Sequence, residues 1–199
     1  MARKPKDIQT LPELNEIESE MSQVRSKGRF RQSIKGTLGV LLVVTAIAVI
    51  IAFIFLPVLK ITNEHNMEPG FQTGDIVLIY QTRKVDTGDV CAFYFNNKLL
   101  LRRIIAKEGD EVDIDEHGYV KVNGEILEEN NYISEHSLGQ CDIDFPYKVP
   151  IGEIFVLGDN RGYALDSRAT KFGCIAQDEI FGKPLARVYP FNSMTWYGF

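Results

Sequence analysis

Two short stretches of this chain concentrate side chains able to do polar chemistry: Gly158-Asp159-Asn160-Arg161 and, soon after, Asp166-Ser167-Arg168. Carboxylates and guanidinium groups at this spacing form ion pairs and cap turns, and Arg103 adds a further cation to the set. A third stretch, His65-Asn66-Met67-Glu68-Pro69, sets an imidazole beside a carboxamide. Imidazole titrates near neutral pH and can serve as a base. Asn66 has no O–H to ionise and so cannot be its nucleophile. Thr62, Ser134, Ser137 and Ser167 carry hydroxyls, with no sequence argument for their activation. Cys91, Cys141 and Cys174 match no metal-site spacing and allow at most one disulfide, so they are expected to be structural. No cofactor or metal is implied, and the chain shows no phosphate-binding loop, zinc spacing or internal repeat.

These residues need a scaffold, and beyond residue 60 its pattern is β. Ile76–Tyr80, Val90–Phe95, Leu99–Ile105 and Ile154–Leu157 are short runs of β-branched and aromatic residues. Glu111–Asp115 and Tyr119–Val122 alternate polar and apolar positions around Glu116-His117-Gly118, which predicts a hairpin. Gly-Asp pairs at 74–75, 88–89, 109–110 and 158–159, with Asn123-Gly124, mark turns. Together they predict a mainly β, meandering antiparallel domain without βαβ units.

The 199 residues carry a formal charge of −5 and 45% apolar side chains, an ordinary globular composition. A mildly acidic chain lacks the concentrated Lys and Arg that phosphate contacts require, which excludes a general nucleic-acid binder. The near-zero mean hydropathy conceals a division. From Gly36 to Leu59 no side chain is charged, and at 1.5 Å per residue such a helix spans about 36 Å, enough for a bilayer core of about 30 Å. Residues 1–36 have a net charge of +3 and residues 60–199 a net charge of −8. The positive-inside rule then places the N-terminus in the cytoplasm and the rest outside. The expected organisation is a cytoplasmic tail (1–35), a transmembrane helix (36–59) and an extracytoplasmic β domain (60–199) at the cell membrane. In the tail, Thr10-Leu11-Pro12-Glu13 reads as a capping box before apolar positions at helical spacing through Val24.

Three segments in order resemble the type I signal peptidase family, the membrane serine/lysine endopeptidases that remove leader peptides. Asn66-Met67-Glu68-Pro69 with Gly74-Asp75 is similar to the family's Ser-Met-x-Pro box. Arg102-Arg103-Ile104-Ile105 with Gly109-Asp110 and Val122-Asn123-Gly124 is similar to its Lys-Arg-Val-Ile segment. Gly158-Asp159-Asn160-Arg161 with Asp166-Ser167-Arg168 is close to its Gly-Asp-Asn-Arg…Asp-Ser-Arg box. The resemblance covers residues 36–199. It implies a β domain lying against the membrane, a serine nucleophile, a buried lysine base with a lowered pKa, and a second hydroxyl orienting that lysine. It further implies that Met67, Pro69, Arg103, Asp159, Asn160, Arg161, Asp166, Ser167 and Arg168 form the scaffold of the site.

The three chemical positions themselves differ. Asn66 stands at the nucleophile, Arg102 at the base and Ala164 at the orienting hydroxyl; Gly70 replaces the Thr that usually follows the Pro. A carboxamide cannot form an acyl-enzyme, and a guanidinium stays protonated even when buried. His65 does not fall at the base position and is expected at a loop surface. The resemblance therefore implies a pseudoenzyme that binds exported precursors or surface proteins through an extended-peptide groove, a role associated in the family with pilus assembly. The alternative is an active leader peptidase with unorthodox residues. Membrane lipid is a further expected contact, through the C-terminal Trp196-Tyr197-Gly198-Phe199; Met67 and Phe93-Tyr94-Phe95 are open to either lipid contact or the β core.

Overall fold

The computed structural model describes residues 34–51, 56–62 and 65–197. Its elements are a helix α1 (Ile34–Ile51) and twelve strands among the described residues: β1 (Val58–Lys60), β2 (Ile76–Tyr80), β3 (Val90–Phe95), β4 (Lys98–Lys107), β5 (Glu111–Ile114), β6 (Val120–Val122), β7 (Glu125–Ile126), β8 (Tyr147–Lys148), β9 (Glu153–Leu157), β10 (Ile175–Ala176), β11 (Ile180–Tyr189) and β12 (Thr195–Trp196). The chain divides into two units at Ala52/Phe53, with α1 in the first and every strand in the second.

By length and composition α1 is able to cross a membrane. The predicted helix through Leu59 needs correction: Val58 and Leu59 belong to β1, which pairs with β2 in the register Leu59↔Val77. Pro57, just before β1, disfavours continued helix there, and apolar strand residues extend a hydrophobic run without any change in composition. The predicted tail helix (Thr10–Val24) lies outside the described residues.

Every strand pair is antiparallel. The larger sheet runs β1-β2-β11-β3-β4-β9-β10 with β12 on β11, and the smaller runs β7-β6-β5-β8. The predicted hairpin is β5–β6. The meander is corrected, because β11 enters between β2 and β3. Gly182 and Pro184 interrupt its strand pattern, and its register shifts beside both. Gly182 is required: a Cβ there would meet the Tyr80 carbonyl oxygen at 2.2 Å.

β9 explains why the domain holds together around the third motif. Ile154 and Val156 point into one apolar cluster with Phe93, Leu100 and Ile104. Phe155 and Leu157 point into a second with Ile105, Val112 and Val120. A strand buried on both faces reads as a continuous apolar run. Of the residues open to either lipid contact or the core, Met67 and Phe93 are buried core residues. Tyr94 is exposed, and Trp196 is 65% exposed; Gly198 and Phe199 lie outside the described residues. All three cysteines are free thiols.

Candidate functional site

β4 brings two adjacent arginines to the site and, as in any strand, sends them to opposite faces. Arg103 Nε and Nη2 donate to Asp159 Oδ1 and Oδ2 at 2.8 and 2.6 Å, and Nη1 donates to the Gly88 carbonyl at 2.8 Å. Its guanidinium lies 3.9 Å from the centre of the Tyr132 ring. Burial pushes the Asp159 carboxyl above the usual carboxylate range, against the pull of Arg103.

Arg102 is only 1% exposed. Its Nε and Nη2 donate to the Leu165 carbonyl oxygen at 3.0 and 2.8 Å, and Nη1 donates to the Leu101 carbonyl at 2.5 Å. Its guanidinium carbon stands 5.7 Å from the Phe172 ring centre. Asn66, half-buried in the turn after β1, approaches the same residue from the other side. Its Oδ1 accepts the Leu165 N–H at 3.4 Å, and its carbonyl accepts the Asn160 N–H at 3.0 Å. Ala164 is buried and donates its N–H to the Asn160 carbonyl at 2.9 Å. Gly158 lies between them, where a Cβ would come within 2.3 Å of the Ala164 Cβ and 2.5 Å of the Asn66 carbonyl oxygen. The fold thus gathers Asn66, Arg102 and Ala164 around the residue pair Ala164-Leu165.

The scaffold residues meet there too. Asp166 Oδ2 accepts the Gly158 N–H at 2.9 Å, and its carboxylate accepts from Arg168 Nε and Nη2, both at 2.8 Å. Arg168 also donates to the Leu138 carbonyl at 2.6 Å and the Arg161 carbonyl at 2.9 Å. Ser167 Oγ accepts the Val156 N–H at 3.0 Å, so its hydroxyl oxygen is committed to holding β9. Arg161 Nε donates to the Gly158 carbonyl at 3.1 Å, and its two terminal nitrogens pair with the Glu129 carboxylate. Buried charges require such pairing. Pro69 is exposed beside a cavity that Arg103, Tyr132 and Asp159 also line. His65, 49% exposed, pairs with Glu68 at 2.7 Å, at the surface as expected.

Sequence reading missed Glu129, Tyr132 and Leu165. Glu129 had one signal, a carboxylate needed by a buried arginine. Burial and the neighbouring Glu129 push the Tyr132 phenol upward, and its O–H donates to Glu129 Oε1 at 2.9 Å. Leu165 acts through its backbone, which carries no residue-type signal.

A second cavity, of about 370 Å³, opens beside Met67. It is bounded by β1, whose outer edge has no partner strand, and by the Lys98–Leu101 part of β4, where β9 pairing has ended, among the described residues.

A largely antiparallel β domain with this ordered set of motifs has known counterparts. The family described as "Signal peptidase, peptidase S26" matches residues 34–189. Signal peptidase IB of Staphylococcus aureus strain MRSA252 is 31% identical over 173 residues, covering 76% of this chain and 89% of that protein. A probable signal peptidase I-2 from Synechocystis is 32% identical over 137 residues, covering 63% and 60%. A crystal structure of a signal peptidase I from Enterococcus faecalis V583 covers 50% of this chain and 96% of its own, with a TM-score of 0.41 and 27% identity. The chain belongs to the S26 signal peptidase family.

Proposed function

We propose that this chain is a noncatalytic signal-peptidase-like protein that holds an extended segment of an exported precursor or surface protein without cleaving it, a service that fits pilus assembly. The observation that carries the reading is the chemistry at Asn66 and Arg102. The carboxamide oxygen at the nucleophile position is occupied as an acceptor of the Leu165 N–H. The guanidinium at the base position donates to backbone carbonyls and has no accessible neutral form to accept a proton. Removing members of a serine-protease catalytic group costs about 10⁴–10⁶ in rate.

Support for peptide holding comes from the two open strand edges around the cavity beside Met67, which suit main-chain addition of a strand. The intact ion pairs behind them would keep that groove in shape. The apolar helix and the charge division (+3 before it, −8 after it) support a single-pass protein of the cell membrane, tail in the cytoplasm and β domain outside. Exposed Trp196, Phe191 and Met194 support contact with lipid.

The test is cleavage of a leader-peptide substrate by the detergent-solubilised full chain. No cleavage is expected. Cleavage that disappears in Asn66→Ala would overturn the reading in favour of an active peptidase with unorthodox residues. The combined variant Asn66→Ser, Arg102→Lys, Ala164→Ser, if it cleaves, demonstrates that the groove still presents peptides in register.

A further inference from the structure

The cavity beside Met67 has an apolar floor made by Leu59, Ile61, Met67 and Leu101, and two lysines at its border. Lys60 is the last residue of β1. Lys98 is the first of β4 and stands opposite Phe95 across a two-residue turn. That turn, Asn96-Asn97, has both residues at positive φ (50° and 62°), the tight hairpin geometry that fixes where the following strand begins. The two cations therefore come from the two open edges that a bound strand would lie between.

Both lysines are exposed, and among the described residues neither joins an ion pair. Elsewhere in the same domain, Lys107 reaches Asp86 at 2.8 Å, Lys183 reaches Asp89 at 2.5 Å and Lys121 reaches Asp113 at 3.8 Å. A region of net charge −8 has carboxylates to spare, yet among the described residues these two cations are paired with none. Two like charges facing one cavity repel until an anion arrives.

We propose that the segment held in this groove is acidic: an extended peptide whose apolar side chain enters the cavity while Asp or Glu side chains on either side meet Lys60 and Lys98. This rests on the peptide-holding reading and specifies its partner. Exposed pairs are individually weak, so together they are expected to favour the acidic peptide by about 3–10-fold at low salt. The advantage should shrink as salt screens it, the Debye length being about 10 Å at 0.1 M.

The experiment is fluorescence anisotropy with the detergent-solubilised full chain and three labelled ten-residue peptides, alike except for Glu, Gln or Lys flanking one central apolar residue. The expected order is Glu tighter than Gln tighter than Lys. In the double variant Lys60→Glu, Lys98→Glu the order should reverse, with an unchanged melting temperature as the folding control. Single Lys60→Gln and Lys98→Gln variants should each lose part of the preference. Equal affinity for the Glu and Gln peptides overturns the acidic-partner proposal while leaving peptide holding intact. If no peptide binds, peptide holding itself falls, and the proposal with it. Loss of binding to phosphatidylglycerol vesicles in the double variant, with peptide preference unmoved, assigns the lysines to lipid headgroups and overturns the proposal.

Discussion

Replacing Arg102 by Met keeps a long unbranched side chain but removes the charge and every donor. Three described hydrogen bonds disappear, two onto the Leu165 carbonyl and one onto the Leu101 carbonyl. Hydrogen bonds from a charged group contribute about 1.5–3 kcal/mol each, and a buried carbonyl left without a partner costs about 1–3 kcal/mol. Against this, Met no longer has to hold a charge out of water, which often cancels much of such a loss. The carbonyl penalty survives that cancellation, so a net destabilisation of about 2–4 kcal/mol is expected. For a chain of this size that lowers Tm by about 4–16 °C.

Arg102→Lys separates two ideas about this residue. Were the position simply awaiting its usual base, lysine would be accommodated without loss. A lysine keeps the burial cost, loses the planar fork and can aim its donors from one point only. It should therefore destabilise by at least as much as Met, or shed its proton to avoid doing so. Thermal unfolding of the detergent-solubilised full chain, followed by circular dichroism, provides the assay. The reasoning is refuted if Arg102→Lys melts at or above the native temperature and Arg102→Met falls within about 2 °C of it.

Three further outcomes follow from the same geometry. Glu129→Gln leaves the buried Arg161 guanidinium without its anion, and a loss of about 3–5 kcal/mol is expected from urea unfolding; a change below about 1 kcal/mol would contradict the pairing. Gly158→Ala places a Cβ 2.3 Å from the Ala164 Cβ and 2.5 Å from the Asn66 carbonyl oxygen, so its Tm should fall, whereas Gly162→Ala, where an added Cβ meets nothing nearer than Ser137 Oγ at 3.7 Å, should change it less. Burial pushes the Cys91 thiol up to about 12 and the Cys174 thiol up to about 11; raised values mean less thiolate at any lower pH, so near pH 8 Cys174 should alkylate about 100-fold more slowly than a free thiol near 9, gain about tenfold per pH unit, and leave Cys91 the slowest of all by mass-spectrometric labelling.

How much of this was legible before folding depended on where the information sits. β2 and β3 match their predicted limits because each is an unbroken run of β-formers between turn residues. β11, the strand that joins the two halves of the larger sheet, contains a glycine and a proline whose local meaning is a break. Only the tight approach to Tyr80 and the bulges make them fitting. In the same way, the end of the apolar run could not be divided between helix and strand by hydrophobicity, because burial in a sheet and immersion in lipid select the same side chains. At the site, Asn66, Arg102 and Ala164 were readable as residue types set in recognisable motifs. Their common contact was not, because Leu165 contributes an N–H and a carbonyl that every non-proline residue has.

That common contact changes what the three departures mean together. Three independent losses of function would leave a cavity shaped for groups no longer present, with polar atoms facing nothing. Here the replacements serve one another's surroundings. Asn66 takes the Leu165 N–H, Arg102 takes the Leu165 carbonyl, and Ala164 sits against a glycine with no room for a side chain. A partly buried backbone whose N–H and carbonyl are both taken, by Asn66 and Arg102, is held more firmly than one left open. The ion pairs of Arg103, Arg161 and Arg168 tie down the same stretch of chain that carries Leu165. On the proposed reading, a rigid wall of this kind suits holding a peptide, and the Arg102 guanidinium, which stays protonated, is not a base that could serve in cleaving one.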